Sequence, residues 1–137
     1  MKVYEFMTRK FDSIDAGKTV YDAVETMVNK RIRALVVRNP GKDGRDSIFG
    51  VLTARDIVFR VLAREINPKT VRVSEIASRP IVCVEKEMEF DMAATLMEKS
   101  NIARLFVCEG DNILGVVSLL DVMAAELIMI ARGNHDS

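Results

Sequence analysis

The chain has no tryptophan and a single histidine, His135, in the closing stretch "GNHDS". A catalytic or metal site built on histidine is therefore not expected, and none is expected on other ligands. Cysteine is scarce as well. Cys83 and Cys108 are the only two, with no CxxC, and they do not form a disulfide framework. Both read as small buried residues at strand ends. Net charge is absent, with 20 Lys+Arg against 20 Asp+Glu, and aromatics make up 6% of the chain. Those two shortages argue against nucleic-acid binding, leaving "NKRIR" (29–33) and "RNPGKDGR" (38–45) as weak local basic stretches. Long apolar runs are missing too. The longest, Val122 to Ala131, is broken by Glu126 and is too short to span a bilayer. The opening "MKVYEFMTRKFDS" lacks the apolar core of a signal peptide. The expectation is a soluble, cytoplasmic protein with no membrane partner.

What the chain does have is apolar content, 49% of 137 residues, and an internal repeat. Shifted by 70 positions, "VYEFMTRK" (3–10) falls on "VSEIASRP" (73–80). The same shift places Ala23 on Ala93, Met27 on Met97, Ile32 on Ile102, Leu35 on Leu105 and Val37 on Val107. After "RNPGKDGRDS" (38–47), which is five residues longer than "CEGDN" (108–112), the shift becomes 65. "IFGVLTARDI" (48–57) then matches "ILGVVSLLDV" (113–122). A length change confined to a Gly/Pro/Asp-rich stretch is what a surface hairpin tolerates. The division expected is 1–67 for the first copy, 68–132 for the second and a flexible tail at 133–137. Each copy is too small to bury a good core alone.

One copy can be read through. "FDSID" (11–15) is a short strand, and "TVYDAVETMVNK" (19–30) has helical spacing behind a Thr19 cap. "ALVV" (34–37) and "SIFGVL" (47–52) are strands joined by a hairpin. "ARDIVFRVLAREI" (54–66) is a helix with Ile57, Val58, Val61 and Leu62 on one side. The second copy follows with strands at 81–85, 104–108 and 112–117, a helix from about Glu87 to Lys99, and a helix from Leu119. The fold class is α/β, in the α+β sense, with the order β-α-β-β-α twice over.

The phrase "GVLTARD" (50–56) and its echo "GVVSLLD" (115–121) end at strand-to-helix junctions. Two readings stay open. Thr53 with Asp56, and Ser118 with Asp121, have the spacing of a capping box, worth about 1 kcal/mol per helix. The same groups can also hold a nucleoside: a hydroxyl near phosphate, and a carboxylate that accepts two bonds from vicinal ribose hydroxyls. Gly50 and Gly115 would let a flat ligand approach the strand. No base, nucleophile or metal site accompanies them, so an enzyme is not expected.

The repeat, its spacing and the two "G-h-h-[ST]-x-x-D" endings (h, aliphatic) resemble a tandem pair of cystathionine β-synthase (CBS) domains. The resemblance runs from about Val3 to Ile130 and looks like a stand-alone pair. It implies two repeats packed about a pseudo-twofold axis, with clefts between them that bind AMP, ADP or ATP, or else S-adenosylmethionine or NAD. No cofactor is required. Carried over residue by residue, one cleft takes ribose and phosphate on Ser118 and Asp121, with the base near Met7, Asp12, Ile14 and Ile32. The other uses Thr53 and Asp56, with the base near Ala77, Val82, Val84 and Ile102. Arg33 and Arg104, before the middle strands, are the basic residues that the resemblance assigns to phosphate. Arg55 sits in the first motif where the second has Leu120, so the clefts are not equivalent. Asp12 faces its counterpart Val82 in the same way. The family's opening-strand proline is matched by Pro80 but replaced by Lys10 in the first copy.

The function implied is a regulatory module that senses adenine nucleotides and signals to a protein target of unknown identity. The alternatives are an interaction protein with empty clefts, or a nucleic-acid-binding member of the family. The last helix, "LLDVMAAELIMIAR" (119–132), is apolar almost all round, and a surface helix normally keeps a polar face. Either it is central to the core, or it is an interface. A homodimer through this helix and its counterpart Ile57 to Leu62 is expected, as the resemblance also implies.

Overall fold

Val20, Ala23 and Met27 recur at helical spacing behind Thr19. They form the buried side of a helix in the computed structural model, which describes residues 1–41, 47–79, 81–110 and 112–133. Pro80, the centre of the expected hairpin at 42–46, and the tail with His135 lie outside the described residues. In chain order the elements are α1 (Val3–Phe6), β1 (Ser13–Asp15), α2 (Val20–Lys30), β2 (Ala34–Asn39), β3 (Ser47–Thr53) and α3 (Ala54–Ile57). A π-helical turn (Val58–Leu62) and a 3-10 turn (Pro68–Thr70) lead to α4 (Val73–Ile76). The second half carries β4 (Cys83–Val84), α5 (Phe90–Ser100), β5 (Arg104–Glu109), β6 (Asn112–Ser118) and α6 (Leu119–Ala131). The mixed α/β class and the β-α-β-β-α order within each copy are those expected; the short helices α1 and α4 that precede them are additional.

Two three-stranded sheets result, β1-β2-β3 and β4-β5-β6. In each, the first pair is parallel and the second antiparallel. The register shifts after Val37 in one and after Val107 in the other, which are equivalent positions of the repeat. The helices α2 and α5 close alike, on Arg31 and Asn101 in the left-handed region (φ 56° and 52°). There the Ile32 and Ile102 N–H groups each donate to the carbonyl five residues back, at 3.0 Å, the long bond of a Schellman closure.

The chain divides into two compact units that cut across the sequence repeats. One is Phe11–Ile81, and the other joins Met1–Lys10 to the chain from Val82 onward. Val73 and Ile76 of α4 are buried with Ile14, Met27, Leu35 and Leu52 in the first core. Val3 and Met7 are buried with Val84, Met97, Leu105 and Val117 in the other. The borrowed segments are held by matching backbone bonds. Val3 N–H donates to the Met88 carbonyl and Val73 N–H to the Lys18 carbonyl, both at 2.8 Å. Beyond the short helices, Thr8 bridges Val116 of β6 and Ser78 bridges Val51 of β3.

Four expectations are corrected. Gly50 and Gly115 do not leave room for a ligand. A Cβ on Gly50 would collide with the Ser78 carbonyl oxygen, and one on Gly115 would stand 2.6 Å from Met7 Sδ and 2.9 Å from the Thr8 carbonyl. The chain's own bridging segment fills the space. Secondly, Cys83 and Cys108 are not buried free thiols: Cys83 is exposed, Cys108 is half-buried, and they are joined by a disulfide with Cα atoms 5.6 Å apart. The parallel register sets Cys83 beside Phe106, two residues before Cys108, and spacing along the sequence carries no sign of that register. Thirdly, the helix expected over 54–66 turns π-helical at Val58, with Ala63 N–H donating to the Val58 carbonyl at 2.8 Å. Ile57 and Val61 are buried, whereas Val58 and Leu62 are exposed. Fourthly, the helix expected from Glu87 starts at Phe90 because Lys2 bridges Glu89 and holds that stretch extended.

Two outcomes follow. Gly50→Ala and Gly115→Ala should each destabilise the protein by roughly 1–3 kcal/mol in urea denaturation. The Gly50 variant should be the worse, because the Ser78 carbonyl lies closer to its added Cβ than the Thr8 carbonyl does to that of Gly115. Unchanged midpoints for both would refute the close approach. For the disulfide, thiol titration should find no free cysteine. Reduction should lower stability by about 3.5 kcal/mol, the loop-closure value for a separation of 25 residues.

Candidate functional site

Each repeated phrase folds into a closed capping box where a strand runs directly into a helix. At the end of β3, the Thr53 N–H and hydroxyl donate to Asp56 Oδ2 at 3.1 and 2.8 Å, and Asp56 N–H donates back to Thr53 Oγ1 at 3.1 Å. At the end of β6, the Ser118 N–H and hydroxyl donate to Asp121 Oδ2 at 2.8 and 3.0 Å, with Asp121 N–H returning at 3.2 Å. All four residues are half-buried. The capping reading is therefore realised in full. The bonds themselves do not mark a site, since Thr19 and Asp22 make the same set at the start of α2. There the Thr19 backbone N–H, seconded by its hydroxyl, holds the Asp22 carboxyl below the usual aspartate range. What sets Asp56 and Asp121 apart is position: both stand at the exit of an outer strand, at matching points of the two ladders.

Every bond of these boxes uses one carboxylate oxygen, Oδ2. The other oxygen differs between the two. Asp121 Oδ1 accepts from the Thr8 hydroxyl at 2.9 Å, across 113 residues of sequence. No described residue donates to Asp56 Oδ1, although Ser78 occupies the position of Thr8 and makes the equivalent backbone bridge. Thr8 was not among the expected site residues. Its signal was available in the gapless alignment of "VYEFMTRK" with "VSEIASRP", where it is the hydroxyl matched to Ser78.

The remaining expected residues divide between the units. With Thr53 and Asp56 lie Ala77, half-buried at the end of α4, Ile14, buried in the core, and Ile32, packed against it. Asp12, in the same unit, is held by Lys30 Nζ at 2.7 Å. Arg33 is exposed, and its carbonyl accepts from Ala54 N–H at 2.9 Å. With Ser118 and Asp121 lie Met7, against Gly115, and Val84, both buried, and Val82 and Ile102 at the edge of that core. Arg104 is half-buried and pairs with Ser118 in the β5–β6 ladder. Its true counterpart in the β2–β3 ladder is Ala34, opposite Thr53, so Arg33 and Arg104 are one step out of register. Ile102 also lines an open groove of about 590 Å³ with Met97, Leu119, Val122 and Met123. Arg55 lays its guanidinium over the Phe59 ring at 4.4 Å; Leu120, its counterpart, is exposed. Among the described residues, no helix is long and apolar enough to cross a membrane.

Two parallel-then-antiparallel sheets, each ending in a hydroxyl–carboxylate box, define a duplicated α/β module. The CBS-domain family model matches residues 3–63 and again 73–128. The chain belongs to the CBS-domain family, whose pairs are generally regulatory, ligand-binding modules. An uncharacterized protein of Methanopyrus kandleri is 33% identical over 119 residues, covering 84% of this chain and 59% of that protein. A CBS-domain protein from Burkholderia ambifaria has a solved structure similar at TM-score 0.79 and 27% identity, covering 93% of this chain and 95% of its own. The hexameric CBS-CP12 protein from bloom-forming cyanobacteria is similar at TM-score 0.76 and 31% identity, covering 98% and 83%. The chain spans about half the length of several curated relatives, 59% and 52% for two of them.

Proposed function

We propose that this chain is a regulatory module that binds an adenine nucleotide of the AMP, ADP or ATP class and passes its occupancy to a protein target. The observation that carries the reading is the pair of equivalent boxes at the exits of β3 and β6. In each, a half-buried aspartate is oriented by its box through one oxygen; the other oxygen is open to ribose hydroxyls at Asp56 and is shared with the Thr8 hydroxyl at Asp121. Charge-assisted bonds of that kind are the strong ones. Arg33 and Arg104 are proposed for phosphate, and the residues that the family resemblance assigns to adenine complete the set. S-adenosylmethionine, NAD, nucleic acid and empty clefts are alternative outcomes of the test.

The test is a thermal-shift screen followed by calorimetric titration. AMP at a hundred times its dissociation constant should add about 2.7 kcal/mol of stability. Asp56→Asn and Asp121→Asn should each weaken AMP binding about a hundredfold at the affected site, through the loss of two charge-assisted bonds, while costing no more than about 1 kcal/mol in stability. Arg33→Ala and Arg104→Ala should weaken AMP more than adenosine, because a guanidinium recognises phosphate and not the nucleoside. Unchanged AMP affinity in both aspartate variants, with lowered melting temperatures, would leave capping as the whole role of the boxes. Stabilisation by oligonucleotide alone would favour the nucleic-acid alternative.

The module is also proposed to act as a homodimer. Helix α6 turns only Ala125 and Met129 fully inward, while Leu120 and Leu127 are 70% exposed and Met123 is 60% exposed. It is therefore not a central core helix. On the counterpart segment, the exposed apolar residues are Val58, Phe59 and Leu62. A stripe of this kind is larger than the scattered apolar residues of an ordinary monomer surface. The hexameric relative supports self-association in general. Replacing Met123 and Leu127 together with Glu should give a folded monomer in light scattering. A monomeric parent at tens of micromolar, or a dimeric double variant, would overturn the assignment.

A further inference from the structure

We infer that the two proposed ribose carboxylates are ranked by a built-in competitor: the Thr8 hydroxyl occupies Asp121, so Asp56 binds nucleotide first. The inference rests on the ribose reading above and adds the device that makes the two sites unequal. In both units the strand exit is bridged by the same kind of segment. Thr8 N–H donates to the Val116 carbonyl and Ser78 N–H to the Val51 carbonyl, each at 2.8 Å. The two backbones are thus placed alike, and the hydroxyl residue stands at the same step. The side chains behave differently. Thr8 Oγ1 donates to Asp121 Oδ1 at 2.9 Å, while Ser78 makes no such bond to Asp56. Threonine's χ1 is restricted by its second Cβ substituent, and serine's hydroxyl is freer to turn to water.

The consequence is chemical. With Oδ2 committed to its box, Oδ1 is the oxygen left for a ribose diol. At Asp56 an incoming hydroxyl meets an acceptor to which no described residue donates. At Asp121 it must share a lone pair's neighbourhood with Thr8 or displace it, and a displaced Thr8 hydroxyl has to find water. Exchanging one exposed internal hydrogen bond for a bond to water sets the scale at roughly fivefold to tenfold in affinity. The first helical turn adds a second difference between the two sites. Arg55 stands beside Asp56, with its guanidinium parked on Phe59, where Asp121 has Leu120. The strand ends differ the other way, with Arg104 opposite Ser118 and Ala34 opposite Thr53, so the ranking rests on the Thr8 hydroxyl and not on charge. Thr8 is a positioning residue here: it acts on the ligand through Asp121.

The experiment is AMP titration in single-site backgrounds. In Asp56→Asn, where only the Asp121 site remains, adding Thr8→Val should tighten AMP binding about fivefold to tenfold, and Thr8→Ser should restore the bond only in part. In Asp121→Asn, adding Ser78→Thr should weaken binding at Asp56 by a similar factor. The order of filling in the unmodified chain should place Asp56 first, so Asp56→Asn removes the tighter phase and Asp121→Asn the weaker. If each aspartate variant removes one phase but Thr8→Val leaves the remaining affinity unchanged, the competitor is refuted while the ribose reading stands. If neither aspartate variant alters AMP binding, the ribose reading itself fails, and the ranking with it. A Thr8→Val variant that melts well below its parent is replaced by Thr8→Ala, and the same comparison applies.

Discussion

The outer strand of each small sheet is closed by a short backbone bridge from a distant segment, Thr8 onto Val116 and Ser78 onto Val51. The rest of the architecture depends on that closure. A three-stranded sheet with one long helix does not bury enough apolar surface to hold itself together. The bridging segment brings in the missing part of the core: Val3 and Met7 on one side, Val73 and Ile76 on the other. Each buried valine of this kind is worth about 1.5–3 kcal/mol. The bridge also satisfies edge groups that would otherwise pair with another chain. It demands glycine opposite, because any side chain at Gly50 or Gly115 meets the arriving backbone.

The same bridge positions the candidate site. The segment that passes over Gly115 delivers Thr8 to Asp121, three residues past the end of the strand it closes. The carboxylate is thus shaped from two directions, by its own capping box along the chain and by the bridge across it. Only the first of these is shared by Thr53–Asp56, Ser118–Asp121 and Thr19–Asp22. A box by itself is a stabilising device. It becomes a candidate binding group through its place at the strand exit and through what the neighbouring segment does to the second oxygen.

The apolar character of α6 is explained by the same economy of coverage. Val3 and Met7 already fill their core, against which α6 packs Val122, and only Ala125 and Met129 of that helix are fully buried. Leu120, Met123 and Leu127 are left outside. Under the proposed self-association, that set is the face that another copy would cover.

Much of the protein is written locally. The repeat, the element order, the helix faces carrying Ala23 with Met27 and Ala93 with Met97, and the boxes Thr53–Asp56 and Ser118–Asp121 all depend on spacings of three or four residues or on strand alternation. Such spacings act within the chain segment that carries them, so the sequence by itself determined them, and the doubling of "G-h-h-[ST]-x-x-D" was enough to point to the family. Tertiary structure decided the remainder. Which sheet receives Val3 and which receives Val73, the bond between Cys83 and Cys108, the purpose of Gly50 and Gly115, and the capture of Asp121 by Thr8 join residues from 25 to 113 positions apart. Even the π-helical turn at Val58 escaped the periodicity, because a bond to the fifth residue leaves the apolar pattern nearly unchanged. Contacts at those separations follow from the path that the chain takes through the two sheets, and no local spacing encodes that path.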